Sequence, residues 1–175
     1  MKKIAGLVAS LTLIAGVCAA VLAYVNTITK GPIADMQVKK ASEAAMAVMP
    51  EGVKDISGKD GFFVGKDASG AIAGYAVVGK DSGGYGGDIV LMVGFRPDRE
   101  TVVCYKALQS SETPGLGTKL STPEFSGQFA GRKADASLKV KADGGDIAAI
   151  TSATITSRAV CRAVADARNR LLAEK

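Results

Sequence analysis

The chain begins with a long apolar segment. The stretch from Ile4 to Val25 carries no charged side chain and follows Lys2 and Lys3. As a helix rising about 1.5 Å per residue, it is long enough to cross the ~30 Å hydrocarbon layer of a membrane. Its many leucine, isoleucine and valine residues favour insertion. The pattern therefore predicts a single transmembrane anchor that is retained in the mature protein. Together with the N-terminus, this anchor comprises residues 1–30.

Two other interpretations use the same segment. A secretory signal peptide also has a basic start, and Val21-Leu22-Ala23 resembles a cleavage site, but the apolar stretch is long for a signal peptide. A lipoprotein signal would use Cys18 as the modified residue. Val17 stands before that cysteine, where a small residue is expected. The anchor remains the favoured interpretation.

After Gly31-Pro32 the pattern becomes that of a folded domain, predicted to cover residues 31–175. A helix is predicted over Ala34–Met49, rich in helix-forming residues and stopped by Pro50. Four segments rich in valine, isoleucine and aromatic residues are separated by short turns, which predicts an antiparallel meander. These predicted strands are Gly61–Lys66, Ala71–Gly79, Asp88–Arg96 and Thr101–Leu108.

The second half of this domain alternates between loop and helix patterns. Proline and glycine between Ser110 and Gly131 predict an ordered loop with at most short helical turns. Ser137–Lys141 is interpreted as a further strand, and Ile155–Leu172 as a closing amphipathic helix. The expected fold class is therefore α+β, with one transmembrane helix followed by an antiparallel sheet and a C-terminal helix.

Composition narrows the function classes. The 22 basic and 17 acidic residues give a net charge of +5, but the basic residues are scattered and aromatic residues make up 5% of the chain, which argues against nucleic-acid binding. There is no histidine, and Cys18, Cys104 and Cys161 are far apart, so a metal site is not expected. Redox chemistry would need an organic cofactor. Cys104 and Cys161 are either the one possible disulfide or, the favoured interpretation, two reduced thiols.

The most informative segment joins the loop region to the closing helix. Thr151, Ser152, Thr154 and Thr156 place four hydroxyl groups at the predicted helix start, with Arg158 one turn beyond Thr154. Free backbone N–H groups and the positive end of the helix dipole make such a turn suitable for an anion, and Arg158 would face a phosphate there. The alternative is ordinary N-capping by one of the hydroxyl groups.

The residues Thr151-Ser152-Ala153-Thr154 resemble the flavinylation motif Ser/Thr-Gly-Ala-Thr. This motif is typical of the FMN-binding domain shared by the G subunit of the Rnf complex and the C subunit of the sodium-pumping NADH:quinone reductase. The resemblance implies an FMN attached through its phosphate to Thr154, with Thr156 as the second choice. Ser152 stands at the usual glycine, and Ala148 occupies a position that is typically acidic, with Asp146 as the nearest acid.

Two further segments support the resemblance. Glu112-Thr113-Pro114-Gly115-Leu116-Gly117-Thr118-Lys119 is similar to a glycine loop of the Rnf G subunits, and Tyr85-Gly86-Gly87-Asp88 precedes a strand as it does in that family. Glycines in such a loop let backbone amides approach a ring or phosphate closely. Leu116 would cover one face of the isoalloxazine. The resemblance implies these cofactor-binding residues: Tyr85, Glu112, Thr113, Gly115, Leu116, Gly117, Lys119, Thr151, Ser152, Ala153, Thr154 and Arg158.

The resemblance also implies a function. The chain would be a non-autonomous electron-relay subunit of an ion-translocating ferredoxin:NAD oxidoreductase complex in the cell inner membrane. Its partners would be the other membrane subunits and a flavin transferase that modifies Thr154. The lysines on both sides of the anchor decide little about orientation, but the resemblance favours a cytoplasmic N-terminus and an extracytoplasmic domain.

Two other functions use the same residues. One is a non-catalytic, membrane-tethered binding or scaffold domain. The other is a hydrolase with Ser110, Ser111 or Thr154 as nucleophile, which would lack a histidine base.

Overall fold

The computed structural model describes residues 2–135 and 137–174, without the side chains of residues 2–5, 9, 34 and 35. The chain divides into two units, Met1–Lys39 and Lys40–Lys175. The first helix, α1, spans Lys2–Val48 and includes Pro32. The helix predicted over Ala34–Met49 is therefore part of a longer one.

The residues of the first unit that the structure describes are helical. Its described side chains are exposed, including many leucine, isoleucine and valine residues. Within the part of the chain that the structure describes, one helical segment, Gly6–Val48, is long and apolar enough to cross a membrane, by length and composition. This agrees with the predicted anchor, although an N-terminal signal sequence would meet the same criterion.

The second unit is built on a five-stranded antiparallel sheet in the order β1-β2-β3-β4-β5. The predicted meander is therefore confirmed, and the fold is α+β. The sequence pattern missed β1, because this edge strand has one large apolar residue and glycine, lysine and aspartate around it. The strands are β1 Asp55–Lys59, β2 Phe62–Lys66, β3 Ile72–Gly84, β4 Gly87–Phe95 and β5 Val102–Gln109.

Both faces of the sheet are covered within this unit. Alternate residues of β4 point to opposite sides, as a strand requires: Leu91 and Val93 belong to one buried cluster and Met92 to the other. The last turns of α1 cover the Met92 side with Ala44, Ala45 and Val48. The C-terminal helix α3, Thr154–Ala173, covers the other side.

The helical pieces described between β5 and α3 are short. They are 3-10 turns at Gly117–Ser121, Gly127–Phe129 and Lys141–Asp143, and one helix of four residues, α2, at Pro123–Ser126. The prediction of an ordered loop between Ser110 and Gly131 is confirmed. The strand predicted over Ser137–Lys141 is wrong: Val140 makes a single parallel bridge with Ile147, and a 3-10 turn begins at Lys141.

The two cysteines of the domain are reduced. Cys104 lies with the cluster on the α1 side of the sheet, whereas Cys161 is buried in the α3 side, so the sheet separates them. Burial raises the pKa of the Cys161 thiol to about 12, which leaves it without nucleophilic thiolate at neutral pH. Burial also raises the pKa of the Cys104 thiol, and the expectation of reduced thiols is confirmed.

Candidate functional site

The hydroxyl-rich turn is fixed by hydrogen bonds from the first turn of α3. The Ser157 hydroxyl donates to the carbonyl of Ala153 (2.9 Å) and accepts the backbone N–H of Ile150 (2.9 Å). Thr154 is the first residue of α3, and the N-cap residue is Ala153, whose side chain cannot cap. The helix start is therefore not capped by the hydroxyl group of Thr151, Ser152 or Thr154, and the alternative interpretation of this motif is wrong. The first N–H groups of a helix have no acceptor within the helix, so this end can still receive an anion.

The segment before this turn is held by Gln128. Its side-chain amide accepts the N–H of Ala148 (2.7 Å) and donates to the Ala148 carbonyl (3.2 Å). Asp146, the acid nearest the motif, is largely exposed and pairs with Arg132 at 2.9 Å. Position 148 is therefore fixed through its backbone, and the carboxylate of Asp146 stays accessible to solvent.

Ser152 has a backbone conformation that favours glycine. Its φ is +62°, in the left-handed region that non-glycine residues rarely adopt. Holding a residue with a Cβ there costs on the order of 1 kcal/mol or more. This backbone geometry explains why the flavinylation motif usually has glycine at this position. In this chain, Ser152 introduces backbone strain next to Thr154.

We expect Ser152→Gly to stabilise the folded domain by about 0.5–1 kcal/mol, because the relieved strain exceeds the added freedom of the unfolded chain. Thermal unfolding of the full chain in detergent measures this change. Ser152→Ala keeps the Cβ and is the matched control, for which little change is expected. If the glycine and alanine variants were equally stable, the backbone at position 152 would not be strained.

Three distant segments line one cleft of ≈ 470 Å³ next to Thr154. This volume lies within the usual range of small-molecule sites, roughly 300–1,000 Å³. The lining residues are Tyr85 from the β3–β4 hairpin, Glu112, Thr113, Leu116 and Gly117 from the glycine loop, and Ser152, Ala153, Thr154, Ile155 and Thr156 from the start of α3. Eight of the twelve residues predicted from sequence are brought together here.

The glycine loop owes its shape to Pro114 and Gly115. The Leu116 N–H donates to the Thr113 carbonyl (3.2 Å), closing a turn in which Gly115 has a φ of +75°. Proline followed by glycine with positive φ is the pattern of a type II turn. The turn exposes Leu116 at the cleft, where 40% of the residue is accessible.

Four predicted site residues do not line this cleft. Thr151, Gly115 and Lys119 are exposed beside it. The Arg158 guanidinium makes two hydrogen bonds of 2.7 Å with the carboxylate of Asp143, which lowers the pKa of Asp143, and it lines a separate cavity of ≈ 350 Å³. Arg158 therefore ties α3 to the preceding loop, with its charge already paired.

Ile155 was the one apolar lining residue that the sequence did not assign to a site. It is 49% exposed, and its position resembled an ordinary core position of the amphipathic helix pattern. Helical periodicity alone does not reveal that the first turn of α3 projects beyond the core. Together with Leu116 and Tyr85, Ile155 gives the cleft an apolar rim.

The hydroxyl groups of the first turn differ in accessibility. Thr154 is half-buried at the cleft, whereas Thr156 is 1% exposed and donates its hydroxyl to Glu112 at 2.7 Å. A hydroxyl in contact with the cleft suits modification better than one already committed to a buried carboxylate. Of the two hydroxyl groups, that of Thr154 is therefore the more accessible from the cleft.

Comparison with known proteins agrees with this geometry. Residues 84–169 match the FMN-binding domain family, a range that includes the hairpin tip, the glycine loop and the Thr154 turn. The chain is 34% identical to the G subunit of the ion-translocating oxidoreductase complex of Methanosarcina acetivorans, covering 99% of this chain and 97% of that protein. It is 35% identical to the G subunit of the proton-translocating ferredoxin:NAD(+) oxidoreductase complex of Clostridium ljungdahlii, covering 90% and 86%.

Solved structures share the fold. The C subunit of the Na(+)-translocating NADH-quinone reductase from Parabacteroides distasonis matches with a TM-score of 0.51 and 26% identity, over 63% of this chain and 60% of that one. The predicted resemblance is confirmed. The N-terminal apolar helix and the likeness to subunits of ion-translocating complexes together indicate a membrane-anchored protein. The chain belongs to the family of G subunits of ion-translocating oxidoreductase complexes and carries their FMN-binding domain.

Proposed function

We propose that this protein relays electrons through an FMN esterified to Thr154, as one member of an ion-translocating ferredoxin:NAD oxidoreductase complex of the Rnf type. The main support for this proposal is the cleft. There the half-buried Thr154 lies at the start of α3, which no side chain caps, and next to the glycine loop.

The residues present fit FMN. The start of α3 offers backbone N–H groups and a positive dipole for a phosphate held at Thr154. Leu116, Ile155 and Tyr85 supply apolar surface for a flat aromatic ring, and Thr113 supplies a polar edge. When bound, the isoalloxazine would accept and pass on electrons, and the protein would fix its position and surroundings.

Thr154 is better suited to be a substrate than a catalyst. The chain has no histidine, and the carboxylate that lines the cleft, Glu112, is bonded to Thr156 rather than to Thr154. A separate flavin transferase would supply the base. In the transfer, the Thr154 Oγ1–phosphorus bond forms as the pyrophosphate of FAD breaks, AMP leaves, and the hydroxyl proton passes to the transferase. The phosphoester then retains the cofactor.

The arrangement proposed in the cell is supported by the apolar N-terminal helix and by the likeness to subunits of membrane complexes. The N-terminus is cytoplasmic, α1 crosses the inner membrane once, and the FMN-binding domain lies on the extracytoplasmic side. The electron donor and acceptor are cofactors of neighbouring membrane subunits. The isolated chain would therefore catalyse no net reaction.

Protein purified from its native membrane tests the proposal. A band that fluoresces under ultraviolet light should survive a denaturing gel, and peptide mass spectrometry should place one FMN on the peptide containing Thr154. Protein produced without a flavin transferase is the control and should lack the band. A colourless native protein with an unmodified Thr154 peptide would leave only a membrane-tethered binding domain.

A further inference from the structure

Glu112 has an unusual position for an acidic side chain. It is 7% exposed and is the one charged residue in the buried part of the described chain. No cation lies within ion-pair distance of it among the described residues. A buried carboxylate without a counter-ion is costly unless hydrogen bonds replace its water. The hydrogen-bond partners of Glu112 therefore indicate its structural role.

Two donors meet this carboxylate, each from a different wall of the cleft. The Thr156 hydroxyl, in the first turn of α3, donates to Oε2 at 2.7 Å. The backbone N–H of Gly86, at the tip of the β3–β4 hairpin, donates to Oε1 at 3.3 Å. Glu112 itself begins the glycine loop. One side chain thus connects all three segments that line the cleft.

The surrounding backbone leaves room for this carboxylate only because two neighbours are glycine. A Cβ on Gly117 would overlap Oε2 of Glu112, and a Cβ on Gly84 would lie 2.7 Å from Oε1. A third glycine, Gly86, lies so close to the backbone of Ser111 that a Cβ there would overlap its carbonyl oxygen. The hairpin tip and glycine loop are therefore shaped around Glu112.

The charge of Glu112 is also favourably placed relative to α3. Its contact is with the third residue of the helix, where the positive end of the dipole stabilises an anion. Hydrogen bonds to a charged group are stronger than those between neutral groups. The pair of bonds thus resists separation of the loop, the hairpin and the helix start.

We propose that Glu112 is a positioning residue, which acts through Thr156 and Gly86 to hold the Thr154 turn in the geometry that a flavin transferase requires. The inference rests on the proposed attachment at Thr154. It differs from the role implied by family resemblance, in which Glu112 contacts the flavin directly. Both oxygens of its carboxylate are engaged by protein donors, so its effect reaches Thr154 through the backbone.

Four variants of the full chain test the inference: Glu112→Ala, Glu112→Gln, Thr156→Val and Thr156→Ser. The rate of flavin transfer from FAD by purified transferase is followed by gel fluorescence, well below the unfolding temperature of each variant. The alanine and valine variants should react about tenfold more slowly, equivalent to ~1.4 kcal/mol. Glutamine and serine should stay within about twofold, because each retains hydrogen bonding between positions 112 and 156.

The rescue by glutamine separates positioning from charge. Its carbonyl accepts the Gly86 N–H and its NH2 group donates to the Thr156 oxygen, so the walls stay joined without a negative charge. Glu124→Ala removes an exposed acid of α2 and should react like the unchanged chain. If Glu112→Ala fails to fold, the test uses the transfer rates of Thr156→Val and Thr156→Ser, because valine keeps the shape of threonine without its hydroxyl.

Three results would overturn the inference or its basis, and they are distinguishable. Normal transfer in the alanine and valine variants contradicts positioning. A glutamine variant as slow as alanine, with Thr156→Val normal, shows that the charge itself acts. An unchanged chain that accepts no flavin contradicts the attachment at Thr154 and therefore the proposed function.

Discussion

Replacement of Thr154 by alanine is expected to abolish the covalent flavin completely. The phosphoester needs the threonine oxygen, and the other threonine of α3 that lines the cleft, Thr156, is buried and donates its hydroxyl to Glu112. Thr154 caps no helix end through its side chain, so the variant should fold as the unchanged chain does. Gel fluorescence and the intact mass of protein produced with the transferase measure the loss.

Two variants serve as controls for this result. Thr154→Ser retains a hydroxyl at the same position and should keep a fluorescent band. Ser121→Ala removes an exposed hydroxyl outside both the motif and the cleft and should be labelled normally. Full labelling of Thr154→Ala, with FMN found on another residue, would contradict the assignment of the attachment site.

Replacement of Gly79 by alanine is expected to have the largest effect on stability. Gly79 lies in β3 where α3 crosses the sheet, and a Cβ there would overlap the Ala163 carbonyl oxygen and lie 2.8 Å from the Ala167 Cβ. Rigid backbone and a buried methyl group cannot move aside as a flexible side chain can. Helix α3 would have to lift from the sheet, costing about 3 kcal/mol or more, a large part of the roughly 5–15 kcal/mol that stabilises a typical domain.

Thermal or denaturant unfolding of the full chain in detergent measures this effect. Gly127→Ala is the matched control, because a Cβ there meets nothing within 4 Å and its φ of −62° suits alanine. The control should be neutral or slightly stabilising. If Gly79→Ala unfolds at the same denaturant concentration as the unchanged chain, α3 does not pack as closely on β3 as described here. Because α3 carries Thr154, a lifted helix should also reduce flavin transfer.

Local sequence patterns were sufficient where one segment determines its own structure. The apolar run predicted a helix, the alternating segments predicted four of the five strands, and proline with glycine predicted the ordered loop. The polar edge strand β1 was missed, since pairing with β2 rather than burial defines it. Ser137–Lys141 was wrongly predicted as a strand, because its buried Leu138 and Val140 pack in a loop rather than in the sheet.

The site was predicted in part for the same reason. The motif and the glycine loop identified Thr154, Leu116 and Gly117, and the structure brings them together at one cleft. Proximity along the helix suggested that Arg158 faces the same anion, yet Asp143, fifteen residues earlier in the chain, binds its guanidinium. Spacing along a helix specifies which side chains share a face but not which partner a neighbouring loop brings to it.

The sequence by itself determined the apolar helix, the meander, the closing helix and the identity of the hydroxyl motif, because each depends on local periodicity and residue type. Only the tertiary structure decided that the backbone of Ser152 is strained, that the Thr156 hydroxyl is hydrogen-bonded to Glu112, and that Glu112 connects three walls of the cleft. These properties depend on contacts between residues far apart in the chain. Such contacts form only when α3 packs on the sheet and brings the loop and the hairpin beside its first turn.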